Sequence, residues 1–287
     1  MNVYLIDLFC GAGGFSTGAQ LAGAIPILAV DSWRPALDIH EKNHPNCVHL
    51  CVELGGCLDE FASFIIGFID LYVPKGSHIH IHASPPCQLL SAINPGRDYM
   101  QGMELVFWTL DVIKMIQPHT WSLEQVANRV LLSSLKDKYD ASISIIRMPE
   151  YGIPNCRKRL VMGRGFQISE MEKELAPSMS AVFDSVGFTP PDEFQFQADG
   201  TRNGEGRKKV NMRSTSLVSY TVTQSHPRLC NASGKNMMIP IDAYAALQTF
   251  HTNYFDGDCP VSQIRKMIGN AVPPHFAEKL MGTVSKL

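Results

Sequence analysis

The stretch Asp7-Leu8-Phe9-Cys10-Gly11-Ala12-Gly13-Gly14-Phe15-Ser16 constrains this chain more than any other. The apolar run VYLIDL leads into it and an amphipathic segment leads out, so it reads as a strand-to-helix turn. Glycines there allow a sharp reversal and close approach of the backbone to a ligand, and the helix N-terminus offers free N–H groups, a setting that suits a nucleotide-like cofactor. Tight turns also use glycine for steric reasons alone, so the turn gains meaning from two acids further along the chain. Asp31 ends the second apolar run about 20 residues on, where a carboxylate accepts both hydroxyls of a ribose. Glu53, closing the third run, is placed to accept the exocyclic amine of an adenine; either acid can instead cap a helix.

The same alternation continues. Short β-rich runs (PILAVD, VHLCVE, HIHIHAS, TWSLEQ, ISIIRM, RLVMGR) are separated by helical stretches, among them one near 102–116 and one after Asn128. That rhythm marks βαβ units and a parallel sheet, so the expected fold is α/β, a doubly wound Rossmann-like sheet. After about Gly165 the pattern stops. Residues 166–235 are rich in Ser, Pro, Gly, Asp and Thr, and helical periodicity returns from 240. Residues 1–165 and 256–287 are therefore expected to form the main domain and 166–255 a small irregular or β-rich lobe, with TSLVSYTVT at 215–223 as a closing strand.

With 287 residues, 45% of them hydrophobic, the chain can bury one full core. No run of about 18 apolar residues appears and the N-terminus has no signal-peptide pattern, which points to an intracellular protein without a membrane partner, in cytoplasm or nucleoid, or in the nucleus of a eukaryotic or viral host. The eight cysteines are expected to be reduced, and Cys47, Cys51 and Cys57 lack zinc-site spacing. The net charge of −2 hides a local imbalance. Residues 157–164 hold four basic groups and no acid, and 202–213 hold five against Glu205, while 167–199 hold seven acids and one lysine. A polyanion would have to meet one of the basic stretches; the plainer reading is a solvated face.

Ser84-Pro85-Pro86-Cys87 follows the fourth strand, beyond the carboxyl end where open α/β sheets bind ligands. Two prolines stiffen the approach to Cys87, an uncommon place for a core cysteine and a suitable one for a nucleophile. His78, His80 and His82 alternate and so share one strand face; no carboxylate or cysteine spacing accompanies them, and no metal site is expected.

Taken in order, these elements resemble the DNA (cytosine-5) methyltransferase family. DLFCGAGG resembles its cofactor loop, SPPCQ its nucleophile loop, LEQV at 123–126 its Glu-Asn-Val, YGIPNCRKR at 151–159 its Gln-x-Arg-x-Arg element and IGNAVPP at 268–274 its C-terminal signature. The resemblance implies an S-adenosylmethionine-dependent methyltransferase fold with a target-recognition lobe, acting as a restriction-modification type of enzyme on double-stranded DNA. It implies Cys87 as nucleophile on carbon 6 of a flipped-out cytosine, Glu124 on ring nitrogen 3 and the amine, and Arg159 and, less directly, Arg157 at the base oxygen. The cofactor, released as S-adenosylhomocysteine, would lie against Phe9, Gly11, Gly13, Gly14, Asp31, Ser32, Glu53 and Leu105, with Asn270 and Val272 closing the site. Gln88, Ser91 and Arg97, the last two in a loop over 91–100 expected to be mobile, and Arg202, Arg207, Lys208, Lys209 and Arg213 of the lobe would meet DNA. Gln125, Asn155 and Ser32 depart from the family's Asn, Gln and bulky apolar residue. A monomer is expected, and the absence of a Cys-Phe-Thr segment argues against the tRNA-acting branch.

Overall fold

A computed structural model describes residues 2–86, 90, 98–136, 138–202, 208–224 and 227–284, with backbone alone at 198–202 and 208–210. The chain divides into two compact units, one of Met1–Ile146, Lys158–Glu172 and Phe276–Leu287, the other of Arg147–Arg157 and Lys173–His275. These borders differ from those drawn at 165/166 and 255/256, because composition marks where a pattern stops while compactness follows packing.

The first unit alternates β1 (Val3–Leu8), α1 (Gly14–Leu21), β2 (Ile25–Asp31), α2 (Arg34–Asn43), β3 (Val48–Cys51), α3 (Leu58–Tyr72), β4 (His78–Ala83), α4 (Tyr99–Ile116), β5 (Thr120–Val126), α5 (Arg129–Leu135), β6 (Ser142–Arg147) and β7 (Lys158–Arg164). Its sheet runs β3-β2-β1-β4-β5-β7-β6, parallel from β3 to β5, with β7 antiparallel to β5. The order turns back between β1 and β4, so the doubly wound α/β expectation holds and the loops after those two strands meet at the switch point. Both strands are buried almost throughout, as strands covered on two faces must be. Ile6, Leu8, Ile81, Leu123, Leu160 and Met162 carry the sheet into the core. Side-chain caps start two helices: Asp98 accepts from Met100 N and Gln101 N, and Asn128 from Val130 N and Leu131 N.

The second unit holds α6 (Met179–Ser185), β8 (Gln195–Arg202), β9 (Lys208–Ser214), β10 (Arg228–Cys230), β11 (Asn236–Met238), α7 (Ile241–Ala246) and α8 (Val261–Asn270); α9 (Pro274–Val284) begins at its border. Its sheet, β11-β10-β8-β9, is antiparallel throughout. Two details of the sequence reading change. TSLVSYTVT contains no strand; Thr215 and Ser216 form a turn, and its one ladder contact is the isolated parallel bridge from Ser219 to Asn155, in which Ser219 N donates to Pro154 O and Ser219 O accepts from Cys156 N. The helix over Met179–Ser185 has no counterpart in the expected elements, although Ser178 caps it by accepting from Ala181 N. Among the described residues no helix is long and apolar enough to cross a membrane.

Candidate active site

The turn after β1 is built on left-handed backbone: φ is 58° at Phe9, 53° at Gly11 and 94° at Gly13. Gly11 and Gly13 adopt that region without a Cβ clash, whereas Phe9 holds it at a cost of about 1 kcal/mol or more. A Cβ at Gly11 would meet nothing within 4 Å, so no internal crowding demands glycine there; the turn leaves an open cradle. Asp31 fixes this turn to the end of β2, accepting from Gly11 N at 2.9 Å and Trp33 N at 2.8 Å while staying partly exposed. Val52 N donates to Asp31 O, which brings the exposed Glu53 beside Asp31 and the exposed Ser32. Leu105 on α4 joins them from the side, its Cδ1 standing 3.1 Å from where Gly55 would carry a Cβ. Beneath the turn, burial pushes the Asp7 carboxyl up to about 7, with the charge of Asp31 adding to the rise and the Ser16 hydroxyl, donating at 2.7 Å, opposing it.

Cys87, Gln88, Ser91, Arg97 and Arg207 lie outside the described residues. The anchors of the loop after β4 are described, however. Ser84 donates from N to Leu8 O and from Oγ to Phe9 O, tying the start of the loop to the glycine turn. Gln125 Nε2 donates to Pro85 O at 3.0 Å, and Asn128 Nδ2 donates to Leu90 O at 2.9 Å. Each end of the loop is thus pinned by an amide flanking the end of β5. The Asn-to-Gln departure keeps an anchoring bond, and Asn128, which the sequence offered only as the residue before a helix, proves to be the second anchor.

Glu124 and Arg159 form an ion pair across the β5–β7 ladder, Nε to Oε1 at 2.7 Å, with side chains 8% and 10% exposed. No N–H among the described residues is aligned on that buried Oε1, so the pair is close without being a well-directed hydrogen bond. A half-satisfied carboxylate beside a guanidinium can receive a donor from a planar amide-like ligand and balance its charge.

The second unit takes Arg157. β7 starts at Lys158, so Arg157 precedes the strand that carries Arg159 and falls in the second unit. The Arg157 guanidinium, buried, donates to the carbonyls of Gly269 at 3.0 Å and of Val222 and Asn270 at 3.4 Å. Asn155 supports it, its Oδ1 accepting Arg157 N while its Nδ2 donates to Leu247 O and Gln248 Oε1. Gly269 must lack a side chain, since a Cβ would collide with the backbone of Thr223 and Gln224. Asn270 is exposed and takes a bond from Gln224; Val272 is buried. Arg213 is engaged already: Nη1 lies 2.8 Å from Cys156 Sγ and 3.1 Å from Val218 O, and the guanidinium stacks 4.3 Å over Tyr220. Arg202, Lys208 and Lys209 stand on the β8–β9 hairpin.

Known proteins resemble this chain in sequence and in fold. The type II methyltransferase M.HgiDI of Herpetosiphon aurantiacus is 28% identical over 298 residues, covering 95% of this chain and 91% of that protein. The type II methyltransferase M1.HphI of Haemophilus parahaemolyticus is 25% identical, covering 100% and 88%. Among solved structures, a candidate DNA modification methyltransferase from an E. coli prophage superposes with a TM-score of 0.71 at 18% identity, covering 99% of each chain. The S. pombe Dnmt2 methyltransferase superposes at 0.62 and 14%, covering 100% of this chain and 99% of that one; both likenesses are of fold. The family model for C-5 cytosine-specific DNA methylases matches residues 3–182, and the chain belongs to that family.

Proposed function

We propose that this chain methylates carbon 5 of a cytosine flipped out of duplex DNA, with Cys87 as covalent nucleophile and S-adenosylmethionine as donor. The observation that carries the reading is the meeting, at one end of β5, of the buried Glu124–Arg159 pair with the Gln125 anchor of the loop that bears Cys87. Carbon 5 of cytosine is a weak nucleophile. Addition of the Cys87 thiolate to carbon 6 makes it an enamine carbon, and the negative charge that develops on the ring needs a donor at nitrogen 3. Glu124 is suited to that task when it carries a proton, and Arg159 holds it in place and faces the base oxygen.

The donor fits the glycine turn. Phe9, Gly11, Gly13 and Gly14 form the turn against which it would lie, with open space where Gly11 would carry a Cβ; Asp31 has acceptor capacity for ribose hydroxyls, and Glu53, Ser32 and Leu105 complete that side of the site in this reading. Bound there, the sulfonium would supply an electrophilic methyl group. Asn270 and Val272 complete the cofactor set in this reading, and Arg157 acts by holding its own unit together.

Residues 166–255 serve as the target-recognition segment. Its acidic first half is unsuited to phosphates, which leaves Arg202, Arg207, Lys208, Lys209 and Arg213 to approach DNA together with Gln88, Ser91 and Arg97. A reader this small should recognise about two to four base pairs, with a guanine beside the target. As with the relatives named type II methyltransferases, the product would be a modified host sequence.

Tritium transfer from labelled S-adenosylmethionine, assayed on duplex DNA and on tRNA, tests the reading. The parent should label DNA alone; Cys87→Ala should label neither and still bind the cofactor, because the thiol acts only on the base. Labelling by Cys87→Ala at the parental rate rules out the covalent route, and labelling of tRNA in place of DNA changes the substrate.

A further inference from the structure

The three histidines of β4 are not used by the reaction described so far, and all are buried. With two hydroxyls of β5 they form an unbroken string. His78 Nε2 lies 2.9 Å from Thr120 Oγ1, which lies 2.8 Å from His80 Nδ1; His80 Nε2 lies 3.0 Å from Ser122 Oγ, which lies 2.8 Å from His82 Nδ1. The string ends at His82 Nε2, a buried atom without a partner among the described residues. Asp7, the strand-register neighbour of His82 on β1, has a buried Oδ1 in the same condition. Both residues are next to last in their strands, at the carboxyl end of the sheet where the glycine turn and nucleophile loop begin. Glu124 lies two residues past Ser122 on the same face. His78 is at the opposite edge, its ring centroid 5.0 Å from that of the exposed His119.

Burial holds His80 down at about 3 and His82 well below the ordinary imidazole range, with neighbouring histidines adding to each fall. Both rings are therefore neutral, each carrying a proton on one nitrogen and a lone pair on the other. With every hydroxyl proton used inside the string, two arrangements remain, all bonds running one way or all the other. In one, His82 Nε2 offers a lone pair; in the other it carries a proton. Passing between them moves one proton from end to end without leaving a charge on any buried ring.

The proposed methylation of carbon 5 releases one proton per turnover, and this inference rests on that reading. We propose that the string is the exit for that proton, taking it through a water held between His82 and Asp7 and delivering it at His78 on the far edge of the sheet. The carbon 5–hydrogen bond breaks and its electron pair forms the carbon 5–carbon 6 double bond. The carbon 6–sulfur bond breaks with its pair returning to Cys87 as thiolate. The proton adds to His82 Nε2, each link hands on the proton it held, and Nδ1 of His78 gives one up; the string reorients between turnovers. A water in the gap has the two polar partners that a buried water needs.

Thr120→Val removes one hydroxyl at nearly constant shape, Ser122→Ala removes the other, and Thr120→Ser keeps the link. Rapid-quench assays on unmethylated duplex DNA of mixed sequence should show the first methyl transferred within about twofold of the parental rate in all three. Steady-state turnover should fall about tenfold or more in Thr120→Val and Ser122→Ala, the range of one lost proton-transfer partner. A denaturant-stable protein–DNA adduct that already carries the methyl group should accumulate in both, and Thr120→Ser should behave as the parent. A purely structural role for the hydroxyls would slow methyl transfer itself or lower the melting temperature without building up adduct. Parental turnover in either folded variant, or a slowed first transfer without methylated adduct, overturns the relay. A duplex made with 5-fluorocytosine, which has no proton to release, should trap the parent; failure to trap overturns the covalent reading and the relay with it, whereas trapping without adduct in the variants overturns the relay alone.

Discussion

Arg157 and Arg159 stand two residues apart in one basic element, yet the chain passes from one compact unit to the other between them, and they do different work. Arg159 belongs to the seven-stranded unit, where it neutralises a buried carboxylate whose Oε1 lacks an aligned donor among the described residues. Arg157 belongs to the four-stranded unit, where its guanidinium gathers three carbonyls from two segments distant in sequence. The contrast extends to the units as wholes. The first keeps its strongly shifted groups, Asp7, Cys10, His40, His44, Cys47, His80 and His82, in its interior. In the second, burial raises Tyr244, and the β8–β9 hairpin carries Arg202, Lys208 and Lys209 in its sequence. The strongly shifted groups are thus concentrated in the first unit.

The largest expected effect separates the two arginines. Arg157→Ala strips the donors from buried carbonyls and should cost about 3–5 kcal/mol of stability, the scale of a broken buried charge contact. Arg159→Ala should leave a better-folded protein with turnover reduced about tenfold or more, the scale of one lost electrostatic contact at a reacting centre. Melting curves read beside single-turnover rates decide it. The division fails if the two variants lose stability and activity in the same proportion.

A second expected effect is confined to the first unit. Asp7 ionises in the fold near 7 and in the unfolded chain near 3.8, so its contribution to stability is whole below about pH 4 and declines as pH rises toward 7. His44 and His80, held down at about 4 and about 3, act oppositely: folding is favoured above about pH 6.5, and that advantage shrinks as pH falls toward those values. Asp7→Asn removes only the first of these. Relative to the parent, its melting temperature should therefore improve steadily from pH 4 to pH 7 and then level off. A difference independent of pH would mean that Asp7 ionises in the fold as it does in the unfolded chain.

Legibility from sequence also divides along the two units. In the first, period-2 and helical patterns, glycines and caps all agree, so the alternation of strands and helices can be expected and the glycine turn located. Its polar interior is less legible. HIHIHA reads as one face of imidazoles, but that Thr120 and Ser122 bond them depends on strand pairing, which no local pattern states. Gln125 reads as a departure until Pro85 supplies its acceptor. In the second unit the signals are weak or misleading: TSLVSYTVT has strand composition but opens in a turn at Thr215 and Ser216 and keeps only the single bridge at Ser219, and Arg157 pairs with Arg159 on paper because adjacency in sequence hides a border between units.

Gln125 gives the next prediction in size. Gln125→Leu removes the donor to Pro85 O, one anchor of the nucleophile loop, and should cost about 1–3 kcal/mol of loop ordering, read as a tenfold or greater fall in kcat at nearly unchanged cofactor affinity. Gln125→Asn keeps an amide with a shorter reach and should fall between the two. Parental kcat in the leucine variant would leave the loop anchored at Leu90 by Asn128 alone.

The smallest effect concerns the display face of the second unit, and it asks whether that unit does more than hold its shape. Lys208 and Lys209 open β9 on the hairpin whose sequence, 202–213, carries five basic groups against one acid. If the hairpin lies against DNA, each lysine that meets a phosphate displaces condensed counterions, and the logarithm of affinity falls with the logarithm of salt by about 0.9 per contact. Lys208→Glu with Lys209→Glu should therefore weaken binding at low salt and flatten that slope by about two, while methyl transfer from the bound state stays near the parental rate, since the proposed reaction gives neither residue a chemical part. Successive strand residues face opposite ways, so a hairpin with one face on the duplex would lose one phosphate contact and flatten the slope by about half as much. The two outcomes differ enough to be told apart in a titration over a tenfold range of salt. An unchanged slope would move the DNA away from this hairpin, leaving the contrast between the units one of chemistry against scaffold.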